Sequence, residues 1–461
     1  MKLRSLIGDR AFYRKLFAVL VPILIQNVIT NFVNLLDNIM VGQIGTEQMS
    51  GVAIVNQLLF VFNLCIFGGL AGVGIFTAQY FGARDDEGVR HTFRAKLFVA
   101  FAAVTVFALI LLRRGEALIS LFLHEGHEAL DLAATLGYAK AYLGIVLLQM
   151  LPFALSQVYS GTLRETGQTL LPMKAGIAAV FVNLTFNYLL IFGKLGFPEL
   201  GVIGAAAATV IARLVELAIV VLWAHRREHC PWISGVYRSL RVPAPLVRRM
   251  LRLGTPLLIN EVLWSAGMTT QNQCFSLRGL EVISALNISS TVSNLFFCAF
   301  FATGNAISIL IGQLLGAGEL ERAVDEDRKL IAFAVTLSLF IGGLMACVAP
   351  LIPEIYNTTA GVKALACDLL LVSAAAMPMN AYTNSCYFTL RSGGKTVITF
   401  FFDSGFLWCV AVPAAFVLSR CTSVPILPMY IAVYALDLIK CVVGALLIRR
   451  RAWVNNIVSG V

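Results

Sequence analysis

An aspartate inside a long apolar segment is the residue of this chain best suited to chemistry. The apolar run begins near Leu16 and reaches Val41, and Asp37 lies close to its far end. At about 1.5 Å per helical residue, a run of this length spans a bilayer. An acid at membrane depth usually faces the protein interior or a water-filled cavity and marks an ion or substrate path. The alternative is a structural aspartate paired with a helix end or an amide.

Two asparagines and a threonine form a second polar group at a similar expected depth. Asn183 and Asn187 are four residues apart and therefore share one face of a helix. Thr209 lies on the following apolar segment. Together with Asp37 they would form an oxygen-only site of the kind that hard cations take, or a hydrogen-bonded setting for an acid that carries a proton. Na⁺ and H⁺ both remain open, and for the asparagines alone the alternative is polar contact between helices.

The second half of the chain carries its own polar set. Glu261 lies early in the seventh apolar segment, Asn380 late in the tenth and Asp403 early in the eleventh. We expect these three on the cytoplasmic side of mid-membrane, where they could bind an ion or a substrate. Asp403 has a simpler alternative, which is to pair with Lys395 near the headgroups.

Two further pairs of charges have helical spacing. Arg213 with Glu216, and Asp437 with Lys440, are three residues apart. Residues at this spacing are neighbours on a helix, so each pair is predicted to neutralise itself.

The composition is typical of a polytopic membrane protein. Of 461 residues, 59% are hydrophobic and 13% are charged, whereas soluble domains are nearer half apolar and a quarter charged. The net charge of +10 comes from basic residues in short loops rather than from one stripe, which argues against nucleic-acid binding. Ten scattered cysteines without C-x-x-C spacing argue against a disulfide framework and a metal ribbon. No nucleotide-binding domain, nucleophile motif or redox-cofactor signature is present, so we expect neither an enzyme nor a cofactor other than a coupling ion.

Hydropathy predicts twelve transmembrane helices. Most lysines and arginines fall on one side of the membrane when the N-terminus is cytoplasmic, so the positive-inside rule predicts cytoplasmic N- and C-termini in the cell inner (plasma) membrane. The predicted spans are residues 16–41, 51–79, 95–112, 132–161, 169–193, 200–224, 253–276, 283–314, 330–350, 364–389, 396–418 and 425–448.

The chain repeats itself. At an offset of 234 residues, Pro22 aligns with Pro256, and Gln79-Tyr-Phe-Gly82-Ala83 aligns with Gln313-Leu-Leu-Gly316-Ala317. At an offset of 227 residues, Leu163-Arg164-Glu-Thr-Gly167 aligns with Leu390-Arg391-Ser-Gly-Gly394. A duplication of six spans predicts an all-α fold of two six-helix lobes related by a pseudo-twofold axis along the membrane normal. We expect an N-lobe at 1–225, a basic cytoplasmic linker at 226–252 and a C-lobe at 253–461, with a cavity between the lobes.

In this order, the motifs resemble those of the multidrug and toxic compound extrusion (MATE) family, nearest to its NorM-like branch. The resemblance covers nearly the whole chain. It is carried by Asp37-Asn-Ile-Met-Val-Gly42, Gln79-Tyr-Phe-Gly82-Ala83, Leu163-Arg164-Glu-Thr-Gly167, Asn183-Leu-Thr-Phe-Asn187, Glu261 and Gly312-Gln-Leu-Leu-Gly316-Ala317-Gly318.

The resemblance implies a V-shaped central cavity and export of cationic or amphipathic drugs in exchange for inward Na⁺ or H⁺, by a protein we expect to be monomeric in the bilayer. It implies an N-lobe ion site at Asp37, Asn183, Asn187 and Thr209, and a C-lobe site that includes Glu261. The family pattern has an aspartate where Asn380 stands here, and an amide cannot carry a proton. A lipid-linked oligosaccharide flippase and a non-transporting receptor or assembly protein are the two alternative functions.

Overall fold

Twelve long helices make up most of the part of the chain that the structure describes. The computed structural model describes residues 6–123, 131–226, 230–356 and 358–459, and these residues contain no β-strand. Short 3₁₀ turns connect some of the helices, at Lys194–Gly196, Pro231–Ile233, Val236–Arg238 and Pro353–Ile355. The long helices are α1 (Arg10–Gly42), α2 (Thr46–Gly82), α3 (Asp86–Ser120), α4 (Leu132–Glu165), α5 (Leu170–Phe192), α6 (Val202–Ala224), α7 (Ala244–Ser276), α8 (Leu280–Gly316), α9 (Leu320–Val348), α10 (Ala360–Ser392), α11 (Thr396–Cys421) and α12 (Ile426–Arg449).

Three of these helices contain local departures from α geometry. A 3₁₀ turn at Leu147–Gln149 interrupts α4, and a turn at Leu436 interrupts α12. In α11, the segments Phe401–Gly405 and Leu407–Ala411 are π-helical. Such widened turns often occur at functional sites, and the first of them carries Asp403.

Side-chain caps define several helix ends that hydropathy cannot locate. Asp85 Oδ1 accepts hydrogen bonds from the backbone nitrogens of Glu87 (3.1 Å) and Gly88 (2.9 Å) at the start of α3. Asp131 caps α4 in the same way. These caps satisfy donors that the first turn of a helix leaves free. As a result α3 begins at Asp86, well before the predicted span at 95–112.

The predicted polytopic fold of twelve long helices is confirmed. In the part of the chain that the structure describes, eleven segments are long and apolar enough to cross a membrane. The remaining helix, α7, has 33 residues and is long enough. It is less apolar, because arginines occupy its first turns and Asn260 and Glu261 interrupt its apolar run.

The helices form two compact units. One unit comprises Met1–Leu24, Ala78–Arg84 and Leu251–Val461. The other comprises Ile25–Thr77 and Asp85–Met250. We call these the C-unit and the N-unit. The first part of α1 and the end of α2 thus belong to the C-unit, where Leu16 and Ile23 are buried in one apolar cluster with residues of α8, α9 and α10.

Within the C-unit, the ends of α2 and α8 touch through a reciprocal pair of glycines. A Cβ atom on Gly82 would overlap the carbonyl oxygen of Gln313, and one on Gly316 would overlap the carbonyl oxygen of Gln79. Gln79 also fixes the C-terminal segment, because its Nε2 donates to Ser392 O (3.0 Å) and its Oε1 accepts from the backbone nitrogen of residue 457 (2.8 Å). The repeated Gln-x-x-Gly-Ala motif is therefore explained by close contact of the two equivalent helix ends.

In the N-unit, hydrogen bonds from α3 hold the segment that follows α6. Arg94 Nε donates to Val236 O (2.8 Å) and its Nη2 donates to Gly235 O (3.2 Å). Nearby, Arg90 Nε donates to Trp232 O (3.1 Å). An arginine offers five donors in a rigid fork, so these two residues bind several carbonyls of the predicted linker at once.

Apolar packing completes this attachment. The ring of Trp232 lies 5.6 Å from that of Phe93 and is 2% exposed. Burial also raises the pKa of the Cys230 thiol to about 11, so the thiol stays protonated and unreactive at neutral pH. The linker is therefore partly buried rather than a solvated loop.

We expect Gly316→Ala to destabilise the protein by about 1–3 kcal/mol, the usual range for forcing an extra methyl group into a packed contact. Gly343→Ala is the matched control, because Gly343 lies within α9 and a Cβ atom added there would have no other atom within 4 Å. That control should be neutral or slightly stabilising, since alanine favours helix more than glycine does. Thermal unfolding of the purified protein in detergent measures both. Equal melting temperatures for the two variants would contradict the close contact.

Candidate polar site in the N-unit

Asp37, Asn183, Asn187 and Thr209 come together in the N-unit. Asn187 Nδ2 donates to Asp37 Oδ1 over 2.6 Å and lies 3.2 Å from the side-chain amide of Asn183. The Asn183 amide in turn lies 3.4 Å from Thr209 Oγ1. Helix α1 therefore contributes the carboxylate, α5 the two amides and α6 the hydroxyl, which is the grouping predicted from the sequence.

The orientation of the Asn183 amide follows from its partners. With its nitrogen toward Asp37, that nitrogen lies 2.8 Å from Oδ1 and 3.1 Å from Oδ2 and donates to both carboxylate oxygens. The opposite orientation would set the amide oxygen against the same two carboxylate oxygens. Asn183 therefore presents a donor to Asp37.

Asn187 has an acceptor that the protein leaves unused. Its Oδ1 atom is buried and has no hydrogen-bond partner among the described residues, and the whole residue is 2% exposed. A buried polar atom without a partner is costly. This oxygen is therefore available to a hydrogen-bond donor or a cation.

The sequence between Asn183 and Thr209 explains why α5 and α6 lie so close. Gly193 ends α5 in the left-handed conformation (φ 62°), which glycine adopts without steric cost. Leu200 N then donates to Leu190 O over 2.8 Å. A Cβ on Gly204 would collide with the Leu190 carbonyl, so only glycine allows this antiparallel contact.

Asn260 connects the polar residues of the C-unit through hydrogen bonds, and it was not among the predicted site residues. Its Nδ2 donates to Asp403 Oδ2 (3.1 Å) and to the Tyr387 hydroxyl (3.4 Å), and it is 1% exposed. The Tyr387 hydroxyl donates to Glu261 Oε1 over 3.4 Å. Ser404, in the π-helical turn of α11, donates from its backbone nitrogen to Asn260 Oδ1 (3.2 Å).

One predicted ion pair in this unit, Asp437 with Lys440, is wrong, and so is the alternative pairing of Asp403 with Lys395. Lys440 Nζ lies 2.7 Å from Asp403 Oδ1. Among the described residues, no ion pair joins Lys440 to Asp437 or Lys395 to Asp403. Asn380 contributes its carbonyl oxygen to a hydrogen bond from Thr383 (3.2 Å), and among the described residues no hydrogen bond joins it to Glu261 or Asp403.

The predicted pair on α6 is present, and a second buried pair was missed. Arg213 Nη1 lies 2.8 Å from Glu216 Oε2. Lys96 contacts the Glu165 carboxylate and donates to Thr162 Oγ1 over 3.1 Å. Lys96 is 1% exposed, and its position near the start of an apolar run gave no sign of that burial.

The internal repeat points to one further buried ionisable residue, Asp327. Thr389 occupies the position equivalent to Thr162, and its hydroxyl donates to Asp327 Oδ1 over 2.6 Å. Asp327 is fully buried. Each half thus places a buried charge of α3 or α9 against the equivalent threonine, with Lys96 in one half and Asp327 in the other.

Comparison with known families supports the repeat directly. The family described as MatE matches the chain twice, over residues 22–189 and 256–417. The two matches begin at Pro22 and Pro256, the pair that begins the internal repeat. The chain belongs to the MatE family. It is therefore a member of the multidrug and toxic compound extrusion (MATE) transporters, as the sequence motifs predicted.

Relatives of this MATE protein extend over nearly its whole length. It is 26% identical over 435 residues to the probable multidrug resistance protein NorM of Thermotoga maritima, with 92% of this chain and 89% of that protein covered. It is 27% identical over 447 residues to the probable multidrug resistance protein YoeA of Bacillus subtilis, with 93% and 92% covered.

Solved MATE structures have the same fold. The outward-facing conformation of a multidrug resistance MATE family transporter of the MOP superfamily superposes with a TM-score of 0.83 at 18% identity, with 98% of both chains covered. A mutant of the Vibrio cholerae MATE transporter VcmN gives 0.86 at 18% identity, with 97% of this chain and 98% of that chain covered.

In this MATE protein, we expect Asn187→Leu to remove any stabilisation of the folded protein by Na⁺ or by mild acid. The variant keeps the number and branching of the side-chain heavy atoms but loses the donor to Asp37 and the unused Oδ1 acceptor. Thr185→Val is the matched control on the same helix, because Thr185 is exposed and its hydroxyl donates to Phe181 O of its own helix (2.8 Å).

The measurement is the melting temperature of each purified protein with and without Na⁺, at neutral and at mildly acidic pH. The wild type and Thr185→Val should show the same cation-dependent rise. A full rise in Asn187→Leu would contradict a role for this amide in the site.

Proposed function

We propose that this MATE protein is a secondary active exporter of cationic or amphipathic drugs, driven by inward Na⁺ or H⁺ that binds at Asp37. The protein would open in turn to each side of the membrane. The coupling ion would be cargo rather than a resident cofactor.

The observation that carries this proposal is the unused buried oxygen of Asn187 beside the Asp37 carboxylate. Asn187 already donates from Nδ2 to Asp37 Oδ1, so its Oδ1 is left to accept from something else. Both oxygens would be ligands for Na⁺. A proton on Asp37 would instead make the acid a hydrogen-bond donor, and the amide oxygen would accept that hydrogen bond.

The Asn183 amide supplies a second donor to the acid. Its nitrogen lies 2.8 and 3.1 Å from the two carboxylate oxygens of Asp37. An ionised Asp37 without a bound cation would therefore still have two amide donors, which lets the ion leave without exposing an unpaired charge.

Transport would follow from differential affinity. If the ion and the drug favour opposite-facing states, or compete for one state, the inward ion gradient drives the drug outward. A membrane potential contributes about 2.3 kcal/mol per net charge moved for each 100 mV. Exchange of one cation for one monovalent organic cation moves no net charge, so the concentration gradient of the ion would drive it. The potential would contribute when the exported drug is uncharged or when more than one cation enters per cycle.

We propose that Glu261 serves cationic substrates in the C-unit. Asp403 has the ammonium group of Lys440 as its partner, at 2.7 Å. Glu261 lies within reach of the charge of Arg391 but forms no ion pair with a basic side chain among the described residues. Asp403 would then be structural, and Asn380 would at most supply an uncharged oxygen. The names of the relatives, which are multidrug resistance proteins, support a substrate class of this kind.

The functional lobes would follow the repeat, at 1–225 and 253–461 with the linker at 226–252. The distribution of lysine and arginine supports an inner-membrane location with both termini in the cytoplasm. We expect the monomer to be the transporting species.

The direct test of function uses everted membrane vesicles loaded with a fluorescent organic cation. A Na⁺ or acid pulse should move the dye in the wild type, and Asp37→Asn should abolish that movement. Asp325→Asn is the matched control, because Asp325 lies on α9 in an exposed pair with Lys329 (2.6 Å). That variant should transport normally.

The same vesicles in Na⁺-free buffer, with and without a proton uncoupler, identify the coupling ion. No movement of dye after either pulse in well-expressed wild-type protein would contradict antiport and favour a flippase or a non-transporting protein. Normal transport by Asp37→Asn would remove Asp37 from the mechanism.

A further inference from the structure

Asp403 in the C-unit and Asp37 in the N-unit have similar amide partners. Asn187 Nδ2 lies 2.6 Å from Asp37 Oδ1, and Asn260 Nδ2 lies 3.1 Å from Asp403 Oδ2. The other oxygen of Asp403 contacts Lys440, whose Nζ atom lies 2.7 Å from Oδ1. Among the described residues, Asp37 has no ion-pair partner. At Asp403, an ammonium group of the protein therefore occupies the place that the proposed function gives to a cation from solution at Asp37.

Close packing of α12 brings Lys440 to this carboxylate. Gly444 lies one turn after Lys440, and a Cβ atom added there would lie 3.1 Å from the sulfur of Cys386 and 3.3 Å from the ring of Phe402. Lys440 Nζ lies 5.3 Å from the centre of the same ring, a distance at which an aromatic ring attracts a cation. The side chains of Lys440 and Asp403 are each only 16% exposed. The ammonium group is thus held at a largely buried acid.

Asn260 differs from Asn187 because it has no hydrogen-bonding atom to spare. Its Nδ2 donates to Asp403 and to the Tyr387 hydroxyl. Its Oδ1 accepts from the backbone nitrogen (3.2 Å) and the hydroxyl (2.8 Å) of Ser404. A side-chain amide has two N–H donors and an oxygen with two lone pairs, so all four are used. The positive charge at this site therefore meets Asp403 Oδ1 and no amide oxygen of Asn260.

Two further acids lie in this part of the C-unit. Glu261 accepts a hydrogen bond from the Tyr387 hydroxyl over 3.4 Å, and Asp437 lies three residues before Lys440 on α12. Among the described residues neither acid forms an ion pair. Without Lys440, Asp403 would be a third carboxylate of this kind. Only a cation or a proton from solution could then neutralise it.

We propose that the ammonium group of Lys440 takes the place of a second coupling cation, and that Lys440 thereby limits exchange to one cation per drug. The ammonium group is covalently attached, so it neutralises Asp403 without exchanging with solution. Lys440 is a residue that determines stoichiometry and does not itself bind the ion. This inference rests on the proposed function, because it assumes that a cation bound at Asp37 is exchanged for the drug.

Removal of the ammonium group should open a second cation site. Lys440→Met keeps an unbranched side chain but has neither charge nor donor. Equilibrium dialysis with radioactive sodium, and titration of proton uptake, should find two cations per chain of this variant and one per chain of the wild type. Lys440→Arg keeps the positive charge and should bind one.

Double variants locate the added cation. Lys440→Met/Asp403→Asn should bind one cation, because the acid that holds the second has been removed. Lys440→Met/Asp37→Asn should also bind one, which in this case is the cation at Asp403. Lys329→Met is the control for loss of a lysine from an aspartate pair, because Lys329 and Asp325 form an exposed pair on α9. That control should bind one cation, as the wild type does.

Dye accumulation in everted vesicles gives an independent measurement of stoichiometry. Exchange of one cation for one monovalent dye moves no net charge. A lumen-positive potential, imposed with a potassium gradient and an ionophore, should therefore leave the steady-state dye gradient of the wild type unchanged. Exchange of two cations for one dye moves one net charge, so the gradient made by Lys440→Met should rise by up to about fiftyfold for 100 mV. A gradient that does not respond to the potential in Lys440→Met would contradict the role of Lys440 in stoichiometry.

The binding counts also separate this proposal from a merely structural ion pair. A structural pair would lower the melting temperature of Lys440→Met without adding a cation. A count of one in folded Lys440→Met, or a count of two that persists in Lys440→Met/Asp403→Asn, would overturn the proposal while Asp37→Asn still binds none. If Asp37→Asn alone keeps its cation, the proposed function itself fails.

Lys440→Gln covers the case in which Lys440→Met does not reach the membrane, since loss of one partner of a buried ion pair is strongly destabilising. The glutamine amide can donate a hydrogen bond to Asp403 but supplies no charge. Two cations per chain of Lys440→Gln would support the proposal, and one would contradict it.

Discussion

The central physical constraint is the cost of a carboxylate at membrane depth. Hydrocarbon offers no hydrogen bonds and poor screening, so an ionised Asp37 requires donors from the protein or a bound cation. Asn187 supplies one donor at 2.6 Å, and the Asn183 amide supplies another. In the N-unit, α5 thus brings two amides to the acid, and α6 brings the Thr209 hydroxyl to one of those amides.

In the C-unit, buried carboxylates are compensated by side chains of the protein itself. Asp403 is compensated by Lys440 and Asn260, and Asp327 accepts a hydrogen bond from Thr389. An internal ammonium group neutralises Asp403 without an ion from solution. The two halves therefore compensate buried carboxylates differently although they share one repeat: among the described residues Asp37 has amide donors and no ion-pair partner, whereas Asp403 is paired with Lys440.

The sequence predicted the spans because long apolar runs are a local feature. It predicted the grouping in the N-unit because a separation of four residues places Asn183 and Asn187 on one face, and because the expected topology places Asp37 and Thr209 at a similar depth. Contacts between side chains on different helices were harder to predict from the sequence. Lys440 was expected to bind Asp437 by spacing alone, but its long side chain reaches Asp403 on another helix instead. Asn260 and Lys96 were missed for the same reason, since the rotation of each helix about its axis determines what a buried polar group meets.

The number of coupling cations bound per chain tests the account most directly. It can be measured on purified protein by equilibrium dialysis with radioactive sodium and by titration of proton uptake with a pH indicator. The account predicts that about one cation binds per wild-type chain, and that Asp37→Asn binds none while Asp403→Asn still binds one. Undiminished binding by Asp37→Asn, or loss of the bound cation in Asp403→Asn alone, would contradict it.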